Sequence, residues 1–534
     1  MQTLLLEYAS SNSHRTHISR VFNRMRSLLL TIAGLSILLL PSAACHAADG
    51  KLLLTVVDAK THKPVACRLH LSGPTRQPKK IEGYPFWSDH FVFPGKITLN
   101  LPTGFYTFEL ERGPEYHNVT GNFTIERSAD DSKEVELRRV VDMSDEGWWS
   151  GDLHLRRYVR DLEMVVSADD LHVAQATTWW NDKNDLSGRN LALPTNRLVT
   201  FDRDRVYELF CGGFTRGGTE ILCFHIPAPM LLQTQSDEYP SLAQHLQQVR
   251  QKNAELWVDA AASYGWDLPM LVANGLVDSI EVANRHFGRK AMQPDAKLGK
   301  PRDADLYAGP FGYARWSQDV YFKLLDCGLR LPPTAGSGSG VSPNPAGYNR
   351  VYVHLDGSFE YEQWWKNLRS GQAIVTNGPL LRARVENELP GHTFHGEEGR
   401  DLELQIGMTL TTREPISYLE IVQDGQVRST IRFENYLKEG RLPSLHFKHS
   451  GWFLLRAVAE ISDTYRFAMT APYYVTFGDK PRISKKSAQF FLDWVYERAR
   501  QIRIDDPQQR QAVMEYHRKA RDYWKNLVEM ANGE

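Results

Sequence analysis

Gly147-Trp-Trp-Ser-Gly-Asp-Leu-His-Leu-Arg156 is the stretch on which the reading of this chain turns. An Asp and a His two residues apart on a strand project to one face, so Asp152 and His154 can reach the same barrel mouth. In metal hydrolases that pairing supplies a ligand and a carboxylate that orients it. Taken alone it also reads as an Asp–His pair closing a turn.

Working outward, residues 145–377 alternate short apolar strands such as Val277-Asp-Ser-Ile-Glu-Val-Ala283 with helical stretches such as Ser241 to Glu255. That is the rhythm of α/β units. Before it, residues 50–142 read as β: Leu52-Leu-Leu-Thr-Val-Val57, Ala66 to Leu71, and Tyr106, Phe108 and Leu110 on one face after a Pro-Thr-Gly turn. Short strands with such turns suggest an antiparallel sandwich. The module resembles the transthyretin-like, carboxypeptidase-regulatory type. After it, residues 378–479 return to β. Leu402, Leu404, Ile406, Met408 and Leu410 alternate with other residues as one half-buried strand, and Asp424-Gly425 marks a hairpin. Residues 484–531 read as two helices, the second capped by Asp506 with Pro507 at its first position.

The 534 residues carry 63 basic and 64 acidic side chains, a balance without the basic excess of a general nucleic-acid binder. Arg24-Met-Arg26, the apolar run Leu28 to Leu40 and the small residues up to Ala48 have the form of a secretory signal, too short for a comfortable span of about 20 residues. We expect cleavage after Ala47, with Met25 an alternative start and lipid attachment at Cys45 a weaker reading. The exported chain then holds 59 basic and 63 acidic groups, a net −4. Five cysteines are too few for a disulfide framework, and Cys211 and Cys223 read as buried thiols rather than a pair. There is no Gly-x-Ser-x-Gly elbow, and Gly336-Ser-Gly-Ser-Gly340 lacks the phosphate-loop spacing.

Seven pieces in order resemble the CehA/McbA-type metallohydrolases of the polymerase-and-histidinol-phosphatase (PHP) superfamily. They are Trp148-Trp-Ser-Gly-Asp-Leu-His154, Ala168-Asp-Asp-Leu-His-Val-Ala174, Trp266-Asp-Leu-Pro269 and Val277 to His286. Leu325 to Pro332 with Thr334-Ala-Gly-Ser337, Asn349-Arg-Val-Tyr352, and Gly371 to Pro379 complete the series. The resemblance implies a PHP-like distorted (β/α)7 barrel; with the strand and helix patterns on either side, the expected fold is that barrel between two β-sandwich modules, with a C-terminal helical pair. It implies strand ends that carry two or three metals for hydrolysis of phosphoester, carbamate or similar bonds.

The ligand positions depart from that pattern. Arg156 stands at the second His of His-x-His, Thr178-Trp-Trp-Asn181 replaces Thr-Asp-His-Asn, and Ser337-Gly-Ser-Gly340 replaces Ser-Asp-x-His. Trp257 takes the place of a strand-end His. What remains for metal is His154 and His286 with an acid such as Glu220 or Asp259, and His225 loosely placed, whereas a catalytic zinc needs three protein ligands and an open position. A fixed cation at Arg156 also repels a divalent ion. We therefore expect no cofactor, with one divalent zinc, manganese or iron ion as the alternative. Asp152, His154 and Arg156 are the catalytic candidates. Arg157, Trp179, Trp180, Trp257 and Arg350 are the ligand-binding candidates: arginine forks suit carboxylate, phosphate or sulfate, and flat indoles suit sugar rings or fill a core. The partner expected is an anionic small molecule or a glycan, bound by an exported protein without nucleic acid. The alternative is a divergent single-metal hydrolase.

Overall fold

Strand Lys96–Pro102 alternates exposed and buried residues without a break, the period expected of a strand with one wet face. Its buried set, Ile97, Leu99 and Leu101, faces a core shared by two sheets. In the first sheet, Asp49–Asp58 lies between Lys96–Pro102, antiparallel, and Asp130–Leu137, parallel. The second runs in the order Phe86–Trp87, His90–Phe93, Cys67–Ser72, Gly104–Glu111, Val119–Ile125. Leu69, Leu71, Phe91, Phe93, Tyr106 and Leu110 close the sandwich. The computed structural model describes residues 49–186, 196–293, 298–478 and 480–534. The expected leader therefore lies outside the described residues.

From Trp148 a closed barrel begins. Strand Trp148–Leu155, buried along its whole length, pairs in parallel with Val173–Trp180, which pairs in parallel with Arg205–Arg216. Thr219–Phe224 and Trp257–Ala260 follow in antiparallel pairings, then Ser279–Ala283 and Pro333–Ala335 in parallel. A parallel bridge from Ser339 to Leu155 closes the ring. The ring departs from an all-parallel β/α barrel at one place. Gly217 and Gly218, both at positive φ, turn the chain directly back into Thr219–Phe224, so that connection has no room for a helix.

The β-region after residue 378 is not a separate sheet. Trp148–Leu155 also pairs with Arg350–His354, which pairs with Ala373–Thr376, and hydrogen bonding continues through Phe467–Thr470 and Gly451–Ala459 to Ile416–Gln423. Behind it lies a second core containing Leu381, Leu404, Leu419, Phe453 and Tyr473. The run from Leu402 to Leu410 is two strands, Leu402–Leu404 and Ile406–Thr411, because its halves pair with different partners. At the break, the Gln405 amide donates to the Glu386 carboxylate. The Asp424-Gly425 hairpin is present, with both residues at positive φ.

The C-terminal pair Lys485–Gln501 and Pro507–Met530 is capped by Ser484 and Asp506. It packs on the barrel helices Leu268–Ala273 and Gly312–Asp326. Trp524 is fully buried and donates its indole N–H to the Pro269 carbonyl, 2.9 Å. Arg498 reaches Asp267 at 2.7 Å and Glu238 at 2.6 Å. Among the described residues there are eight α-helices, none long and apolar enough to cross a membrane.

Candidate functional site

Strand alternation places Asp152 and His154 on the inner side of the ring, and the two sit in different environments. Asp152 accepts backbone N–H groups from His154, Ser337 and Gly347 at 3.1, 3.0 and 2.7 Å. Burial raises its pKa to about 6 against the pull of those donors. Its job is to tie the strand to the Gly-rich loop after Pro333–Ala335.

His154 has neither ring nitrogen hydrogen-bonded. Burial drives its pKa down to about 3, with Arg285, His286 and Arg156 adding to the effect, so the ring is neutral. It lies parallel to the Trp180 indole at 5.9 Å, and its Nδ1 is 3.8 Å from Oε1 of Glu281. Glu281 is fully buried with both oxygens unpartnered. Burial raises its pKa well above the carboxylate range, and the neighbouring Asp259, Glu220 and Asp152 push the same way. A neutral imidazole facing a protonated acid is not an ion pair. The backbone passes very close here: a Cβ on Gly336 would stand 2.1 Å from that Glu281 oxygen and 2.4 Å from the His154 Cβ.

The remaining inner acids are committed elsewhere. Both Asp259 oxygens lie at 2.9 and 2.8 Å from the Thr334 hydroxyl, and Glu220 pairs with Arg285 at 3.0 Å. His286 bonds the Gln293 carbonyl through Nδ1 at 2.7 Å. Among the described residues, the one trio of His, Cys, Asp or Glu with ligand atoms mutually within 4.8 Å lies outside the ring. His154, Glu220 and His286 therefore do not converge as a ligand set, and the residues present do not fit the metal centre that the family resemblance implies. Glu281 escaped the sequence reading, although a Glu inside the apolar run Val277 to Ala283 was the signal for it.

Outside the ring mouth lies a cleft of about 1400 Å³. One wall comes from the barrel, with Arg156, Arg157, Thr177 and Thr178. The other comes from the N-terminal sandwich, with Tyr84 and Trp87. Arg156 is paired with Asp185 at 3.2 Å. Arg157 is half-buried and has no carboxylate at ion-pair distance among the described residues. Its guanidinium lies 5.4 Å from the centre of the Trp87 ring and 3.3 Å from the Ser339 hydroxyl. The Trp87 indole N–H is fixed on the Ser342 carbonyl at 2.7 Å. Gly340 completes this rim at φ 103°, where a Cβ would collide with the Arg156 carbonyl oxygen at 1.8 Å.

Four of the ligand-binding candidates, Trp179, Trp180, Trp257 and Arg350, do not line the cleft. Trp179 is buried against Phe214, and its indole donates to the Phe210 carbonyl at 2.5 Å. Trp257 is buried against Trp365 and donates to the Ser279 hydroxyl at 2.7 Å. Arg350 is spent on the carbonyls of Gly347 and Asp169 at 2.6 and 3.1 Å. Trp180 covers His154 and donates to Thr215 Oγ1 at 3.0 Å. All four described cysteines are buried free thiols.

No family model matches this chain, and no curated protein matches it. Among solved structures it is similar over 18% of its length to the group B streptococcus pilus 2b backbone protein, at 16% identity, 43% of that chain and TM-score 0.15. It is similar over 20% to the Bacillus anthracis TIE protein, at 18% identity, 18% of that chain and TM-score 0.14. A third similarity, to the N-terminal four Ig domains of Dscam1 isoform 8.4, spans 80% of this chain and 73% of that one at 7% identity and TM-score 0.13. The chain spans less than half the length of the first two. At these TM-scores the overlaps define neither a shared fold nor a function.

Proposed function

We propose that this is an exported protein on a PHP-like barrel related to the CehA/McbA metallohydrolases, and that it binds an anionic small molecule or glycan instead of a metal centre. The barrel reading draws on the order of the sequence motifs and on the strand ring they occupy. The binding reading rests on one observation above the others: Arg157, half-buried in a large cleft beside Trp87, has no carboxylate at ion-pair distance among the described residues, the acids that act on it, Asp161 and Asp169, lying farther off. A cation partly removed from water and left unpaired favours an anion that completes it. An indole and a tyrosine in the same cleft favour a ring-shaped neighbour for that anion.

The test is calorimetry of the purified protein against phosphorylated small molecules and sulfated or uronate-bearing glycan fragments. Binding that falls about tenfold or more in Arg157→Gln, a loss of about 1.4 kcal/mol or more, with unfolding unchanged, supports the proposal. Chelator-sensitive ester or phosphoester hydrolysis by the unmutated protein would refute it in favour of a divergent single-metal hydrolase.

A further inference from the structure

The N-terminal sandwich carries a second constellation, unrelated to the barrel motifs. Strands Cys67–Ser72 and His90–Phe93 are antiparallel with Leu69 opposite Phe91, so the next step of the register sets His70 opposite His90. Their rings lie 5.0 Å apart. Asp89 belongs to the two-residue turn that joins Trp87 to His90, entered through Ser88 at φ 52°. Its Oδ1 stands 3.1 Å from Nδ1 of His70 and 3.2 Å from Nδ1 of His90. The ligand atoms of the three residues all lie within 4.8 Å of one another.

Nδ1 of His70 is buried and faces the Asp89 Oδ1 at 3.1 Å. The other nitrogen, Nε2, is 3.3 Å from Oε2 of Glu111. With Nε2 directed at the Glu111 carboxylate, Nδ1 is directed at the Asp89 oxygen, and a cation, whether a proton or a metal ion, fits between them. This is the carboxylate–histidine arrangement that orients and strengthens a metal ligand. Ligands held at about 2.0–2.1 Å around a tetrahedral ion stand roughly 3.3 Å apart, close to the 3.1 and 3.2 Å from the Asp89 oxygen to the two imidazoles.

The charges around the trio leave a way in. Arg68 and Arg289 are engaged by Glu111, Asp169 and Glu109. Lys290 touches the far oxygen of Asp89 at 2.6 Å, but its side chain is 73% exposed and can swing into water. His90 is 97% buried by the surrounding strands and Asp89 is partly open, so an ion would meet a fixed floor and an accessible lip.

We propose that His70, Asp89 and His90 bind one divalent transition-metal ion of the zinc class, with water as the fourth ligand. Two imidazoles and a carboxylate suit zinc, cobalt or nickel far better than calcium or magnesium. The ion is structural: it staples the turn after Phe86–Trp87 to the neighbouring strand and so stiffens the wall of the cleft that carries Trp87. The site stands independently of whatever ligand the cleft takes.

The full chain is stripped with chelator, incubated with zinc chloride and gel-filtered, and its metal content and melting temperature are then measured. The expected result is one zinc per chain and a melting temperature raised by zinc. Asp89→Asn, which keeps the shape of the turn, and His70→Gln each reduce affinity by about tenfold or more and abolish the thermal shift, by analogy with ligand-shell losses. Lys290→Met, which removes a competing cation, tightens binding. Cobalt substitution gives visible absorption bands that disappear in Asp89→Asn. The proposal fails if the stripped protein retains no zinc. It also fails if Asp89→Asn and His70→Gln, both folded by circular dichroism, keep a full equivalent, or if the zinc is lost in His154→Gln instead.

Discussion

Asp152 and Arg157 lie within six positions of each other and do opposite work. Asp152 is spent inside the protein on three backbone donors. Asp152→Ala orphans those N–H groups, each worth about 1–3 kcal/mol when buried without a partner. We expect urea denaturation to report a loss of about 3 kcal/mol or more. Arg157→Gln, by contrast, breaks no ion pair and should leave the denaturation midpoint within about 0.5 kcal/mol of the parent. The sequence made Asp152 and His154 legible because strand alternation alone puts them on one face. It could not separate Arg157, which faces the cleft, from Arg350, which is turned onto backbone carbonyls, because both read only as arginines near a mouth. Trp179 and Trp180 are a sharper case. Adjacent residues on a strand point to opposite sides, so one indole fills the core while the other covers His154.

Among the elements, the junction at the end of helix Gly312–Asp326 gathers three parts of the chain. Asp326 accepts the Trp452 indole N–H at 2.9 Å and the Ser487 hydroxyl at 3.2 Å. Burial raises its pKa to about 6. The folded state thus holds this proton more tightly than the unfolded chain, so the stability tied to it is full below about pH 4 and falls as the pH rises to about 6. The fall should reach on the order of 3 kcal/mol. Asp326→Asn should flatten this portion of the profile, seen by comparing denaturation midpoints at pH 4.5 and 7.5. A slope unchanged by the substitution would assign the dependence to other groups. Some helix ends and hairpins were legible here: Asp506 and Asp424-Gly425 act where their chemistry places them. The Leu402–Leu410 run was not, since alternation fixes which face is buried but says nothing of which strand lies alongside. The pairing of Trp148–Leu155 with Arg350–His354 is similarly non-local, and no periodicity in either segment announces it.

In the whole molecule, the sandwich and the barrel are joined by buried charge. Asp170 receives Arg112 at 2.6 Å and Arg139 from the sandwich, and Arg205 at 2.6 Å from the barrel itself; Asp169 receives Arg68 of the sandwich. The three guanidiniums hold the Asp170 pKa well below the carboxylate range, so its contribution is present at neutral pH and is lost only in strong acid. Asp170→Asn leaves those cations without their shared anion and should cost about 3–5 kcal/mol, the range for breaking one partner of a buried pair. Calorimetry should then show the N-terminal module melting ahead of the barrel. A single unshifted transition would mean that Asp170 does not hold the two modules together.

The unbroken run of backbone pairing from Trp148–Leu155 out to Phe467–Thr470 bears on how this protein can be dissected. A fragment ending near residue 377 strips Ala373–Thr376 of its outer neighbour and leaves a hydrogen-bonding edge open to other chains. A fragment beginning there loses the strand on which its own sheet is templated, as well as the barrel helices that seat its last two. The place where the polypeptide changes rhythm is thus not a place where it can be divided, and recombinant fragments cut there should accumulate as aggregates.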